Sequence, residues 1–440
     1  MNIKINLPGI TQEDFEYAFF ALEDCKKSAA KEYGFLYPFF APGGAYGEQW
    51  WELDSSLALC GYKWYDQKFC ETTLLNFIES QCENGRIKLW GNDILPSTPI
   101  HPKQRTNVSA LPKLFDVAYH VVQRSMDANL KVAVYDMFQK YLTWWFMDRQ
   151  DKETGLISSL FEETFIPYLG YAGEYAATDT NVEVAVGCYY TACLAEQLGD
   201  MDKKEYYLEK KEEIATAINQ YLWSEELGAY FPYDLKNKTI VKCLMASTFC
   251  PLRLNIASAE RKERLLILLQ NDEHFNWNGY ALTSVSKVDP CFTTTKGRYQ
   301  GNASWSGNVW SLINEMTVRG LLDCKENKLA AELALKTIRV FNHNCAEFAN
   351  PYDGSGHGVK LYAWTASQYL EMIFEIIFGL RYDAGSNTLI VAPNLPEEFL
   401  EKNIFLKGVP LPSGGTVDVT INNGKVECHL TSAFVTIKLQ

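Results

Sequence analysis

The chain has 440 residues, 47% of them hydrophobic and 14% aromatic, with a net charge of -13. No Lys/Arg cluster offsets that acidity, which excludes a nucleic-acid or anionic-membrane surface, since both need concentrated positive charge. A large core and many rings suit a neutral small ligand instead, because flat apolar faces with polar edges stack on sugars as readily as they fill cores.

The 12 cysteines are scattered, with no CxxC pair, and read as reduced core thiols. The opening MNIKINLPGITQEDFEY lacks a basic segment leading into an apolar one, and no later stretch is apolar for the length of a membrane span. A cytoplasmic protein with no membrane partner is expected. The 6 histidines are dispersed, with no HExxH and no pair at i, i+4, so neither a metal nor a cofactor is expected.

In chain order, Thr11 with Asp14 forms a capping-box-like start to a helix through DFEYAFFALEDCKKSAAKEY. A Pro- and Gly-bearing loop follows, then WWELDSSLALCGYKW with weak helical character over 52–64, and a helix over 69–83 closed by Asn84-Gly85. Helical spacing returns at 107–125, 131–148, 181–199 and 203–222, the last pair joined by Gly199-Asp200. Further helices fit 258–270, 305–321, 327–342 and 364–379, with a weaker candidate at 244–254 and Glu332 to Lys336 as an exposed i, i+4 pair. Successive helices look paired and no fixed-period repeat occurs, so helix hairpins closing into a ring are allowed and an open solenoid is disfavoured. After Leu380, the stretches NTLIVAP, GTVDVTI, KVECHL and FVTIKL alternate and are rich in β-branched residues, with a turn at Asn422-Asn423-Gly424. This divides the chain into a helical domain over 1–380 and a small β appendage over 381–440.

The stretch that organises the rest is EFANPYDGSGHGVKLYAWTASQYLEMIFEIIFGL, from Glu347 to Leu380. It joins an acidic, Gly-rich loop to a helix too apolar all round for a surface, and such a loop over a buried helix end is where scaffolds carry chemistry. Gln368, Glu371 and Glu375 share one face of that helix and call for polar partners.

Four blocks resemble a clan of inverting glycosidases that includes trehalases, processing α-glucosidases of glycoside hydrolase family 63 and mannosylglycerate hydrolases. WWELDSS, Trp50 to Ser56, is similar to an aromatic-Trp-Asp sugar-contact block, with Asp54 in the Asp position and Leu53 in place of Trp. YLTWWFMDRQDKETGLISSLFEE is similar to the approach to the family's acid loop. SWSGNVWSLINEMTVRGL resembles Tyr-Trp-Arg-Gly-Pro-Val-Trp followed by Asn and Gly-Leu, with Ser306 in place of Arg. The Glu347 stretch resembles the loop that carries the general base. The resemblance covers most of 40–380 and implies an all-α (α/α)6 barrel, hydrolysis of an α-linked glucoside or related α-glycoside of a small oligosaccharide, and Glu347 as base.

Inversion needs one protonated carboxyl at the leaving oxygen and one carboxylate holding water on the opposite face, roughly 6.5–9.5 Å away. The family's acid loop carries an Asp where this chain has Ile166. Glu163, and failing it Glu162, is therefore expected as acid, with Glu174 in reserve. Asp179 at a helix start is either a cap or a sugar contact. Asp54, Trp50 and Trp51 are expected at the sugar, as are Trp310 and Trp364, the ring candidates at family positions, and Gly307 beside them. Asn314, inside an apolar helix, must meet either the ligand or a backbone carbonyl. A carbohydrate sensor without turnover and a sugar epimerase remain as rivals on the same scaffold. An epimerase would want histidines facing the cavity, and only His343 and His357 lie near.

Overall fold

The computed structural model describes residues 2–29, 31–91, 107–160, 162–165, 175–295, 304–432 and 435–440. Its helices are α1 (Gln12–Cys25), α2 (Glu52–Leu57), α3 (Leu59–Tyr62), α4 (Gln67–Ser80), α5 (Leu114–Arg124), α6 (Ala128–Asp148), α7 (Thr178–Leu198) and α8 (Met201–Ala217). After a 3-10 segment at Ala246–Asn255 come α9 (Ala259–Leu269), α10 (Asp272–Phe275), α11 (Ser311–Asp323), α12 (Asn327–Phe341) and α13 (Ala363–Glu371). The starts follow their caps. Thr11 and Asp14 exchange hydrogen bonds as a capping box on α1, and Asp66, Asp127, Asp200 and Ser258 accept first-turn N–H groups of α4, α6, α8 and α9. Gly199 closes α7 in the left-handed region, at φ 81°.

Burial sorts these helices into two sets. All nine residues of α13 are buried, and α7 and α11 are buried on nearly every side, whereas α8 buries only Tyr207, Ile214, Ala215 and Ala217, and α9 only Leu265 and Leu269. A helix apolar or small on all faces belongs inside, one with a single stripe outside. The inner segments pack in sequence: α13 on α2 and α3, these on α5, α5 on α7, α7 on 246–255, that segment on α11, and α11 back on α13. At the α3–α13 contact the backbones nearly touch. A Cβ at Gly61 would collide with the Ser367 carbonyl, and Ser367 Oγ instead accepts the Gly61 N–H at 2.8 Å. The helix of α13 continues as a π-helical turn over Met372–Ile377.

The inner segments are also joined by buried charge. Lys63 meets Glu375 at 2.6 Å, Arg319 on α11 meets Glu371 at 2.5 Å and Glu375 at 2.7 Å, and Lys113 meets Asp116 at 2.7 Å and Glu315 at 3.3 Å. Arg253 reaches Asp116 at 3.2 Å. These are the partners the polar face of 364–379 required, and Gln368 completes the set by accepting from Ser311 Oγ at 2.7 Å. The pair Glu332–Lys336 forms at 3.3 Å, half-buried rather than on an exposed face.

The strands after Leu380 build two sheets. Residues 403–410, 416–422 and 425–430 form an antiparallel meander, with Asn423 and Gly424 both at positive φ in its tight turn. Residues 380–383, 388–391 and 436–439 form the other sheet. The division at 381 is not clean, because Lys4–Asn6 leaves the helical part and pairs antiparallel with 405–407. The first helix ends at Cys25, earlier than its sequence predicts, because Lys26–Lys27 pairs with Phe39–Phe40. No helix among the described residues is long and apolar enough to cross a membrane.

Candidate functional site

Two loops that lead into inner helices and the first turn of α2 bring three carboxylates together. Glu347 stands one residue before the strand Phe348–Ala349, whose hairpin partner is Gly356–His357. Its N–H donates to the Val359 carbonyl at 2.8 Å, and the Val359 N–H donates back to its Oε2 at 3.1 Å. The Tyr46 hydroxyl donates to its Oε1 at 2.7 Å. Burial pushes the Glu347 carboxyl up from its ordinary value, while the Tyr46 and Val359 hydrogen bonds pull the other way by favouring the ionised form. Gly358, at φ +72°, leaves room for this carboxylate, since a Cβ there would overlap Glu347 Oε2. A pocket of about 480 Å³, lined by Asp24, Gly44, Tyr46 and Lys360 among others, reaches the same side chain.

Asp54 lies on α2 and accepts from the Tyr362 hydroxyl at 2.6 Å. Burial pushes its carboxyl up to about 7, against the Tyr362 hydrogen bond and with help from the Glu347 charge. Glu162 is half-buried, at φ 67°. Burial, then the charges of Asp54 and Glu347, push it up to about 7 as well. Glu347 thus lifts both of the others and Asp54 lifts Glu162, as like charges sharing one cleft do.

The sequence preference for Glu163 as acid is corrected by its position. Glu163 is fully buried, with Oε1 accepting from Arg149 Nη2 at 2.8 Å and the Ser109 N–H at 3.0 Å, and Oε2 from Arg149 Nε at 2.8 Å and the Leu160 N–H at 2.9 Å. A carboxylate held by a bidentate Arg and two backbone donors is an anchor, not a proton donor. Asp179 holds the same loop from the other side. It is fully buried and accepts from Thr164 Oγ1 at 2.8 Å, the Phe165 N–H at 2.8 Å and the Thr180 N–H at 2.9 Å. Asp179 is not itself the cap, which is Ala177, but from the first turn of α7 it satisfies the Thr180 N–H and holds the loop through Thr164 and Phe165. Ile166 and Glu174 lie outside the described residues.

Rings line the space around the carboxylates. Trp305 stacks on Trp310 with centroids 3.6 Å apart, and on its other side meets Phe165 of the Glu162 loop at 4.7 Å. Trp310 continues to Phe348 at 5.1 Å and Trp364 at 5.6 Å, and Trp364 to Tyr362 at 5.0 Å. Tyr46 lies 6.2 Å from Trp51 and Trp51 lies 5.3 Å from Trp90. Among the described residues, the buried indole N–H groups of Trp51 and Trp364 have no hydrogen-bond partner.

Trp50 departs from its expected place, Asn314 takes the backbone alternative, and Gly307 has a packing role. Trp50 is fully buried, stacked on Phe35 at 3.9 Å, and is core rather than sugar platform. Asn314 is satisfied by backbone: it accepts the Leu282 N–H at 3.0 Å and donates to the Trp310 carbonyl at 2.8 Å. Gly307 is required by packing, since a Cβ would lie 2.7 Å from the Phe292 ring. Sequence reasoning missed Tyr46, Tyr362 and Arg149 as partners of the carboxylates. The signals were weak, a Tyr within PGGAYG, another just before Trp364, and an Arg after the WW of α6.

Comparison with known proteins adds a partial family match and a fold. Residues 169–365 match the family described as mannosylglycerate hydrolase MGH1-like glycoside hydrolase domain. That range takes in Asp179, Trp310, Glu347 and Trp364 and leaves Asp54 and Glu162 outside it. A mannosylglycerate hydrolase of Rubrobacter radiotolerans is 28% identical over 185 residues, 41% of this chain and 40% of that protein. A mannosylglycerate hydrolase of Thermus thermophilus is 30% identical over 148 residues, 33% of each chain. The chain thus spans less than half the length of these curated relatives. In fold it is similar to the GH63 mannosylglycerate hydrolase from a second strain of Thermus thermophilus in complex with glucose, at TM-score 0.66 and 19% identity, covering 81% of this chain and 98% of that one. The resemblance read from the sequence, to a group that includes mannosylglycerate hydrolases and family 63 enzymes, is supported by the family match and the relatives, and the fold by the solved structure.

Proposed function

We propose that the chain is an inverting glycoside hydrolase on an (α/α)6 barrel, cleaving an α-linked glycoside of a small oligosaccharide or glycosylated acid. The observation that carries this reading is Glu347 at the pocket, held by Tyr46 and Val359, with Asp54 and Glu162 near enough to share its field, each delivered by the start of an inner helix or the loop before one. Glu347 takes the part of base. The donors from Tyr46 and Val359 favour its ionised form, so it can take a proton from water as that water attacks the anomeric carbon. Glu162, lifted to about 7, keeps a proton near neutrality and gives it to the leaving oxygen. Asp54, held by Tyr362, accepts from sugar hydroxyls beside Trp51, and Trp310 and Trp364 shape the apolar wall. An attack on the face opposite the leaving group turns an α-linkage into a β-product.

Glucose is the first sugar to test, with the α-mannosides and α-glucosides of small hydroxy acids beside it, because the relatives are named for mannosylglycerate. Following anomeric configuration by NMR during hydrolysis of α-linked disaccharides and α-mannosylglycerate checks the reading. A β-anomer as first product supports it; an α-anomer as first product, or tight binding without turnover, sinks it. The epimerase alternative loses its acid-base pair: His343 lies against Tyr17 and Asp14 of α1, at 4.4 Å and 3.2 Å, and His357 is exposed and bonded to Ser355.

A further inference from the structure

Away from the carboxylates, Cys243, Asp289 and Cys291 bring two sulfurs and a carboxylate oxygen within 4.8 Å of one another. This is the one such group of potential metal ligands among the described residues. We propose that these three side chains form a binding site for a soft divalent cation of the zinc class, with water as fourth ligand.

The donor set selects the metal. Thiolates favour zinc-class cations over magnesium or calcium, which prefer all-oxygen shells. The spacing fits too. Two thiolates on one tetrahedral zinc lie about 3.8 Å apart, so the observed arrangement closes on a cation with side-chain shifts of about 1 Å or less. On binding, each thiol gives up its proton to solvent and the carboxylate binds as the anion.

Asp289 is already oriented. Its Oδ2 accepts the Leu244 N–H at 2.8 Å and its Oδ1 the Cys291 N–H at 2.9 Å, which fixes the carboxylate while leaving lone pairs on both oxygens. The backbone around the group is equally fixed. Ala246 N–H donates to Ser284 at 2.9 Å and Ser286 N–H to Leu244 at 2.9 Å, on either side of a bridge between Met245 and Val285. The surroundings are a small apolar cluster of their own, Ala177, Met245 and Val285 with Phe292 packed against it. Cys243 is buried while Asp289 and Cys291 are half-buried, so a cation has a way in.

The position gives the cation a purpose. The segment that carries Asp289 and Cys291 runs on to Phe292, whose ring abuts Gly307, and to Thr293, whose N–H donates to the Ser306 carbonyl at 2.9 Å. A bound cation would tie 289–291 to Cys243 and so brace the turn behind Trp305 and Trp310. It would touch none of the three cleft carboxylates.

The test uses the full chain, reduced, stripped with a chelator and titrated with Co²⁺. One equivalent should bind with a sulfur-to-cobalt charge-transfer band and tetrahedral visible bands, and Zn²⁺ should displace it and raise Tm. Cys243→Ser and Cys291→Ser should each lose most of that band at unchanged far-UV circular dichroism, and Asp289→Asn should weaken binding at least about tenfold. Absence of the band in the unaltered chain overturns the proposal without recourse to any variant. So does a band that survives both serine substitutions, or a Cys243–Cys291 disulfide found by peptide mass spectrometry in protein isolated without reductant.

Discussion

The hydroxyl of Tyr46 and the carboxylate of Glu347, 301 positions apart in sequence, meet at 2.7 Å. A hydrogen bond to the ionised form favours it, so this contact opposes the rise that burial forces on Glu347. Tyr46→Phe removes the donor and should raise the Glu347 pKa. Activity requires the base ionised and is lost as pH falls through its pKa, so the acidic limb of the kcat/KM profile should move to higher pH. An unmoved limb would detach Tyr46 from the base.

Glu347→Gln should abolish hydrolysis and leave the fold and sugar binding nearly intact. The amide keeps the size and accepts the Val359 N–H but takes no proton from water, so the loss falls on kcat, on the order of 10²–10⁴. Turnover near normal with an unshifted pH optimum would make Glu347 a structural residue.

The adjacent glutamates should separate cleanly. Glu162→Gln should lower turnover of substrates with poor leaving groups by on the order of 10²–10⁴ and spare activated aryl glycosides, whose oxygen departs unprotonated. Glu163→Gln instead leaves the buried Arg149 guanidinium unpaired, a loss of about 3–5 kcal/mol in stability by the usual cost of breaking a buried pair. Thermal melts and a leaving-group series distinguish them; equal behaviour of the two variants on both measurements would refute the assignment.

Stability should fall with pH near neutrality because of the site itself. Asp54 and Glu162 have folded pKa values raised to about 7 from 3.8 and 4.5. Between those limits the unfolded chain has released protons that the folded chain still holds, so stability is fully present below about pH 4 for these two groups and is lost as pH rises through about 7. Asp54→Asn should therefore raise Tm at pH 8 relative to the unaltered chain, by an amount on the order of 1 kcal/mol in stability, and flatten the slope from pH 4 to 7. A lower Tm at pH 8 would show Asp54 to be a net stabiliser.

Gly358→Ala should act on chemistry through Glu347. The new Cβ would overlap Oε2 at a backbone φ of +72°, displacing the carboxylate. Misplacement on the scale of 1 Å can cost on the order of 10² in rate. Unchanged kcat would mean that the loop absorbs the methyl group.

What the sequence made legible follows from periodicity and chemistry. The buried helix over 364–379, the cap at Thr11 and the Glu347 loop were visible because spacing and residue type report burial and backbone needs directly. Facing was not visible. Trp50 and Trp51 are identical in type and adjacent, yet one stacks on Phe35 in the core and the other turns toward Tyr46. Glu162 and Glu163 diverge because a non-glycine residue adopts φ 67°, a conformation no sequence pattern announces. The role of Asn314 turned on which carbonyl lies opposite its amide, a matter of tertiary placement.

The strand Lys4–Asn6 has a consequence for synthesis. Its partners at 405–407 are made roughly 400 residues later, which at about 5–20 residues per second means a wait of roughly 20–80 s on the ribosome. During that interval Ile3 and Ile5, buried in the finished protein, have no sheet to enter. Lys4–Asn6 is thus made long before it finds its place, because the sheet around it cannot close until 405–407 have been made.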